Sequence, residues 1–563
     1  MGRTWLAGLT VALLAATLLV ATVDDYGLTF DEPLYIVITD GLRGWFADVA
    51  AGGLGGLREQ LRDERLRETW LFAARQNRNL PVPVLLSALF RPLGEGWPGP
   101  PYSYRLGTCL LLAATVALLF AGLAPAHGWE MAAVAAGSLL LMPQAFAHGH
   151  LAANDVAVSS FWLLAILLWL WSGTSARRAL VAALVCGLGL ACKASFVLVP
   201  ALLGLWLLCF RQWRRWRATL VLAVVAPLVM LALCPMWWGD PLPRIARFYW
   251  RAFNASQHWT SDSYYLGTSY LGALPWHNGL VLPAVTTPPW TLALALAGAW
   301  RGLRRRDPVI ALWTMGAGVL PFLRMLPNAP GHDGVRLMLP SLFCLAPLAG
   351  FGFLELVERF RTLRERMAPR LAMVAAVLVL GAQGLVTMHP FEMSYYSELI
   401  GGLRGAARLG FEVSYWYDAY TPRALREIQV PLPPKAKLVT VPNYDSYLVL
   451  LSEWGRPSLD RTPVPHEEAE YLLLYSRRGA LYRLPGIPEI YEHGRPLWSL
   501  QCRGVQLLGL YRLAAGWTPL VATEQRGRRR GAVQPVADDP RSRDRQGEED
   551  QEEGEEGSRA TPL

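Results

Sequence analysis

RLGTCLLLAATVALLFAGLAP, residues 105–125, carries one charge at its first position and then twenty residues without another. A helix of about 20 apolar residues is long enough to cross the ~30 Å hydrocarbon layer of a bilayer. Working outward from it, ten more stretches have the same character: 4–23, 131–147, 156–173, 179–192, 194–210, 218–237, 278–300, 308–326, 336–356 and 371–388. Eleven such segments predict a mainly α, polytopic helical membrane protein. The shortest neighbours, 179–192 and 194–210, are parted by Lys193. Composition agrees, because 53% of the chain is hydrophobic and only 17% charged, whereas soluble domains carry more charge. The 23 tryptophans and 51 glycines suit interfacial belts and close helix packing.

The net charge of +9 does not point to nucleic acid. Its arginines sit in short clusters between apolar runs, at 177–178, 211–217 (RQWRRWR), 301–306 (RGLRRR) and 358–370 (ERFRTLRERMAPR). With the N-terminus cytoplasmic, all four clusters fall inside, as the positive-inside rule requires. The expected location is the cell's inner membrane. The first apolar segment has no small-residue cleavage site before Asp24-Asp25, so it reads as a retained helix rather than a signal peptide. The long loop 24–104 then lies outside, together with 148–155, the turn at Lys193, 238–277, 327–335 and everything after 389. The arginine-rich stretch 58–78 departs from the rule, which long loops escape, and its amphipathic pattern suits the membrane surface.

After residue 389 the pattern changes. KLVTV (437–441), EYLLLYS (470–476) and VQLLGLYRL (505–513) read as strands between prolines and glycines. A small outer α/β domain is therefore expected over 390–516, following a transmembrane domain over 1–389. From 521 to 563 an arginine run and an acidic run predict a disordered charged tail. The seven cysteines are scattered and form no CxxC, which argues against a disulfide framework or a zinc site. Asn254-Ala255-Ser256 matches a glycosylation sequon, a weak three-residue signal.

Polar residues at the segment ends all fall on the outer side of this topology. They are Asp31 and Glu32 (TFDEPLY), Arg105, His148, His150 and Asp155 (HGHLAAND), Lys193 (ACKAS), His277 (PWHNG), and His332, Asp333 and Arg336 (GHDGVR). Ionisable groups at membrane depth are costly, and their convergence from separate loops is the pattern of a site. Each has a plainer reading. Asp31 and Glu32 are also explained as solvated loop acids, Asp155 as a helix cap and Arg105 as a snorkelling anchor. His148, His150 and His277 suit interfacial positions, and HDGVR suits a cap with an anchor. Lys193 is the sharpest signal: it is one of three lysines among 53 basic residues and sits in an apolar setting.

These motifs, with HGHLAANDVA, GLGLACKASFVLVP, YLGTSYLGALPWHNGLVLPAVTTPP, HDGVRLMLPSLFCLAPLAGFG and HPFEMSYYSELIGGLRGAARLGFEVSYW, resemble the GT-C membrane glycosyltransferases of family 39, the protein O-mannosyltransferase-like group. The resemblance spans roughly residues 5–430. It implies transfer of a sugar, with inversion, from a polyprenyl-phosphate carrier in the membrane lipid to a protein, lipid or glycan acceptor. It casts Asp31 as the base or acceptor-positioning acid, with Glu32 and Asp155 as further catalytic acids. Fixed cations at Arg105, Lys193 and Arg336 suit the leaving phosphate. His148, His150, His332 and Asp333 complete the expected site. Such enzymes are sometimes metal-bound, and Glu32 with His277 is the pair expected to hold a divalent ion, of no particular identity. The chain departs from the family late in the first loop. A His-Pro-Pro-like or Glu-Lys-Pro-Pro-like motif is replaced there by Arg78-Asn79-Leu80-Pro81-Val82-Pro83. That leaves both the metal and full activity open.

Two other readings compete. A transporter or flippase would place ionisable groups near the bilayer midplane and show repeated halves, and neither pattern is present. A catalytically inactive relative remains compatible with the altered first loop.

Overall fold

The computed structural model describes residues 2–70, 80–96, 99–254 and 261–513. The expected tail 521–563 lies outside these residues, as do part of the amphipathic stretch 58–78 and two positions of the sequon. The described residues belong to one compact unit. All eleven apolar stretches are helical, and the chain is a mainly α membrane protein with a small sheet towards its C-terminus.

Five helices among the described residues are long and apolar enough to cross a membrane: Tyr102–His127, Asn154–Ser172, Trp213–Ala232, Arg336–Arg359 and Met367–Met388. Proline breaks two further stretches. The helices Trp129–Leu140 and Pro143–Gly149 meet at 63° and make a sixth candidate if counted as one span. Segment 278–300 is two helices, Asn278–Thr286 and Pro289–Arg305, parted by an extended Thr287. Proline lacks the amide hydrogen a helix needs and disfavours helical backbone in the residue before it. Stretches 4–23, 194–210 and 308–326 form shorter apolar helices.

Glycines bring the helices together. A Cβ at Gly298 would collide with the carbonyl of Leu348, and one at Gly352 with that of Leu294. The helices Pro289–Arg305 and Leu339–Arg359 thus touch backbone to backbone, as small residues permit where lipid offers no hydrophobic drive. At their far end Arg301 binds Glu355 at 3.2 Å and Glu358 at 2.8 Å. Arg370 reaches Glu130 at 3.4 Å at the same end. The arginine clusters therefore gather at one end of the helices and the candidate site at the other.

The described part of the loop after the first helix is largely helical. Glu32–Gln60 runs 29 residues with a break at Gly53, followed by Asp63–Thr69 and Val82–Phe90. Seven strands follow among the described residues. Asp262–Tyr265 (β1) and Thr268–Leu271 (β2) form a hairpin. Ala436–Val441 (β3), Arg461–Pro463 (β4), Tyr471–Tyr475 (β5), Trp498–Cys502 (β6) and Val505–Arg512 (β7) form a sheet in the order β4-β3-β5-β7-β6. Strand β3 is parallel to β4 and β5, while β7 is antiparallel to β5 and β6. Every residue of YLLLY in β5 is buried, because the strand is central and covered on both faces.

Candidate active site

The TFDE loop is held from both sides. Glu32 is fully buried and accepts from the Thr29 amide (2.9 Å) and hydroxyl (3.0 Å), from Arg105 Nε and Nη2 (2.7 Å each), and from the Ala152 amide (3.0 Å). Arg105 also donates to the carbonyls of Val23 (3.3 Å), Tyr26 (3.1 Å) and Gly27 (2.6 Å). From the C-terminal region, Tyr444 donates to the Leu28 carbonyl (2.8 Å) and Tyr447 to that of Phe30 (2.7 Å). The Phe30 amide donates to the Trp416 carbonyl (3.2 Å). Gly27 has no room for a side chain, since a Cβ would lie 2.8 Å from the carbonyl oxygens of Asp418 and Tyr420.

Asp31 is thereby aimed at a cluster of charges. Arg336 Nη1 meets Asp31 Oδ2 at 3.0 Å, Nη2 meets Asp333 Oδ2 at 3.2 Å, and Nε lies 3.6 Å from Asp155 Oδ2. Lys193 Nζ donates to Asp155 Oδ1 at 3.1 Å. Arg477, at the end of β5, stands 3.6 Å from the other oxygen of Asp333. The Arg336 guanidinium lies 4.1 Å above the Trp416 ring, and His148 packs against the same indole at 5.9 Å. Three carboxylates thus face three cations, all in a largely buried setting where such pairs interact far more strongly than in water.

Local backbone sets this geometry. Asp333 and Gly334 both take positive φ, 56° and 57°, a turn that aspartate tolerates better than most residues. The turn presents Asp333 beside Arg336 at the head of its helix. Burial alone would raise the Asp333 carboxyl, but Arg336, His332 and Arg477 together outweigh it and hold the group below the usual carboxylate range. Burial also dominates at Asp31, where Asp333 and Asp155 push the same way against the pull of Arg336, so its carboxyl rises. At His332 burial pulls the imidazole down to about 4, which leaves it neutral at ordinary pH. The side chains of Asp31 and Lys193 are 28% and 21% exposed while Asp155 is 2%, so Asp31 and Lys193 are the members a substrate reaches directly. Four buried polar atoms around the cluster lack a hydrogen-bond partner: Asp155 Oδ2, Arg336 Nε, His148 Nε2 and Tyr415 Oη.

The sequence-derived set divides here. Asp31, Asp155, Lys193, Asp333 and Arg336 meet, with His148 and His332 beside them. Glu32 and Arg105 pair with each other instead. All five N–H groups of Arg105, expected at the donor phosphate, are taken here by protein acceptors. Glu32, expected as a catalytic acid, likewise has both oxygens occupied by protein donors. His150 stacks on Tyr26 at 4.4 Å, and its two nitrogens hydrogen-bond Thr22 Oγ1 and the Phe146 carbonyl, 2.8 Å each. His277 hydrogen-bonds the Tyr265 hydroxyl at 2.8 Å.

The pair Glu32 and His277 does not fit a metal, since the Glu32 oxygens are saturated by N–H and O–H donors. Among the described residues no group of three or more His, Cys, Asp or Glu is arranged to hold one. Trp416 and Arg477 were not anticipated as site residues. Their signal was the aromatic run EVSYWYDAY at 412–420 and an arginine two residues past a buried strand.

Residues 99–238 match a family model described as dolichyl-phosphate-mannose-protein mannosyltransferase. The matched stretch contains Arg105, His148, His150, Asp155 and Lys193, so the resemblance to GT-C glycosyltransferases read from the motifs is met there. No curated protein sequence matches the chain. Among solved structures the chain is similar to ArnT from Cupriavidus metallidurans in the apo state, with 13% identity, 90% of this chain and 97% of that chain covered, and a TM-score of 0.49. It is similar to the same protein bound to undecaprenyl phosphate, with 13% identity, coverage of 91% and 99%, and a TM-score of 0.48. It is also similar to the archaeal oligosaccharyltransferase AglB from Archaeoglobus fulgidus, in complex with an inhibitory peptide and a dolichol-phosphate, with 10% identity, coverage of 91% and 75%, and a TM-score of 0.45.

Proposed function

We propose that this chain is a membrane glycosyltransferase that moves a sugar from a polyprenyl-phosphate carrier to an acceptor on the outer face of the inner membrane. The observation that carries the reading is the meeting of Asp31, Asp155, Asp333, Arg336 and Lys193 at one end of the helices, opposite the arginine clusters. The family match over 99–238 supports the same class.

An acceptor hydroxyl, on a protein, lipid or glycan, approaches Asp31. Its oxygen forms a bond to the anomeric carbon while the bond from that carbon to the carrier phosphate breaks on the opposite face. The hydroxyl proton passes to the Asp31 carboxylate, which must lie within hydrogen-bond reach of it. Arg336 holds that carboxylate in place through a charge-assisted bond. The departing polyprenyl phosphate gains negative charge, and Lys193 is the partly exposed cation beside it. Asp155 orients the lysine. The carrier reaches the site sideways from the bilayer, which a nucleotide sugar held in the cytoplasm cannot do.

The test is transfer by the detergent-purified protein from polyprenyl-phosphate sugars and from nucleotide sugars, with candidate acceptors. Transfer from the lipid-linked donor is expected. Efficient use of a nucleotide sugar alone would refute the assignment. No transfer from any donor, with carrier lipid still bound, would favour the inactive-relative reading.

A further inference from the structure

A second cationic feature lies at the outer end of the last membrane helix, apart from the active site. The β6–β7 hairpin sits on that end, with Cys502 Sγ 3.9 Å from Met388 Sδ. Its turn is Arg503-Gly504, with φ of 50° and 74°. Two successive positive φ values match the twist of the flanking strands and leave the Arg503 side chain exposed at the tip. Arg404, from the helix Gly402–Arg408, lays its guanidinium against Gly504, where a Cβ would collide with it. Glycine at 504 therefore serves both the turn and the arginine.

Between these groups runs a groove of about 580 Å³ whose lining includes Gln383, Thr387, Glu398, Arg404 and Arg503. Neither arginine pairs with a carboxylate among the described residues. The one acid in the groove, Glu398, accepts from the Tyr395 hydroxyl at 2.9 Å instead. On the same helix Val379 and Val386 are 69% and 80% exposed, an apolar flank facing the lipid. Two exposed guanidiniums thus stand where apolar helix surface gives way to polar surface. Guanidinium forks match phosphate oxygens, the charged group of an anionic lipid head.

We infer that this groove binds the phosphate of an anionic phospholipid, with its acyl chains along the Val379–Val386 flank. The inference rests on the membrane setting and not on the proposed transferase activity. It is tested by native mass spectrometry of the full chain in neutral detergent, titrated with phosphatidylglycerol, phosphatidylcholine or inorganic phosphate. Wild type should retain phosphatidylglycerol in preference to phosphatidylcholine. The R404Q/R503Q double variant should bind it at least about tenfold more weakly. Arg503→Gln alone, at an exposed hairpin tip, should show part of that loss with an unchanged unfolding midpoint. Equal retention by wild type and variants, or equal binding of phosphatidylcholine, would overturn the proposal. Displacement of the lipid by millimolar inorganic phosphate would assign the groove to free phosphate and overturn the lipid reading.

Discussion

Arg336 and Asp31 are joined by a 3.0 Å bond across 305 residues of chain. The arginine opens one membrane helix and the aspartate follows another. Their bond fixes the carboxylate that the proposed reaction requires, and Asp155 and Asp333 share the same guanidinium.

Asp31→Asn should cut transfer by about 10²–10⁴, the usual loss for a general base, while the protein still inserts and keeps its unfolding midpoint. The measurement is turnover with a lipid-linked donor beside a thermal melt. Wild-type turnover in the variant would remove Asp31 from the mechanism.

Activity should also fall on the acid side. A base works only when deprotonated, and burial raises the Asp31 carboxyl above its ordinary range. The rate should therefore drop as pH falls through that raised value, earlier than an ordinary aspartate would allow. The readout is kcat/KM against pH, and a profile flat down to the ordinary carboxylate range contradicts it.

Lys193→Met should raise the KM for the lipid-linked donor by about ten- to a hundredfold, the worth of one hydrogen bond to a charged group. The KM for acceptor should change little. A larger effect on acceptor than on donor would place the lysine elsewhere in the reaction.

Glu32 and Arg105 predict the opposite phenotype. Arg105→Met strands a fully buried carboxylate and should cost about 3–5 kcal/mol of stability. Poor insertion or early unfolding is expected before any specific kinetic defect. A stable Arg105→Met protein with a selective loss of donor affinity would return Arg105 to the phosphate site.

His389 hydrogen-bonds Glu392 at 2.7 Å and Asp25 at 3.0 Å, joining the first loop to the segment after the last membrane helix. Burial lowers its pKa, but the two acids outweigh that and push it up to about 9. The folded value exceeds the unfolded value of about 6.5, so this stabilisation is full below that pH and fades as pH rises through about 9. Melts of wild type and His389→Gln should differ at neutral pH and converge by about pH 10. A gap that is constant with pH would show that the ion pairs contribute nothing.

Read along the chain, the residues by themselves determined that the eleven apolar stretches are helical, three of the strands, the one-sided arginine clusters and most of the polar groups worth examining. Helix length and charge placement are local quantities, set by the rise per residue and the cost of burying charge, so periodicity exposes them. Partnership is not local. Asp31 and Glu32 are adjacent, yet the fold gives Glu32 to Arg105 as a structural pin and Asp31 to Arg336 at the site. Lys193 and Asp155 are 38 residues apart and bond at 3.1 Å. Trp416 and Arg477 come from a region that reads in sequence as ordinary loop and strand edge. Only the tertiary structure decided which acid is saturated and which is left reachable. A carboxylate's chemistry depends on the donors around it, and here those donors arrive from distant segments.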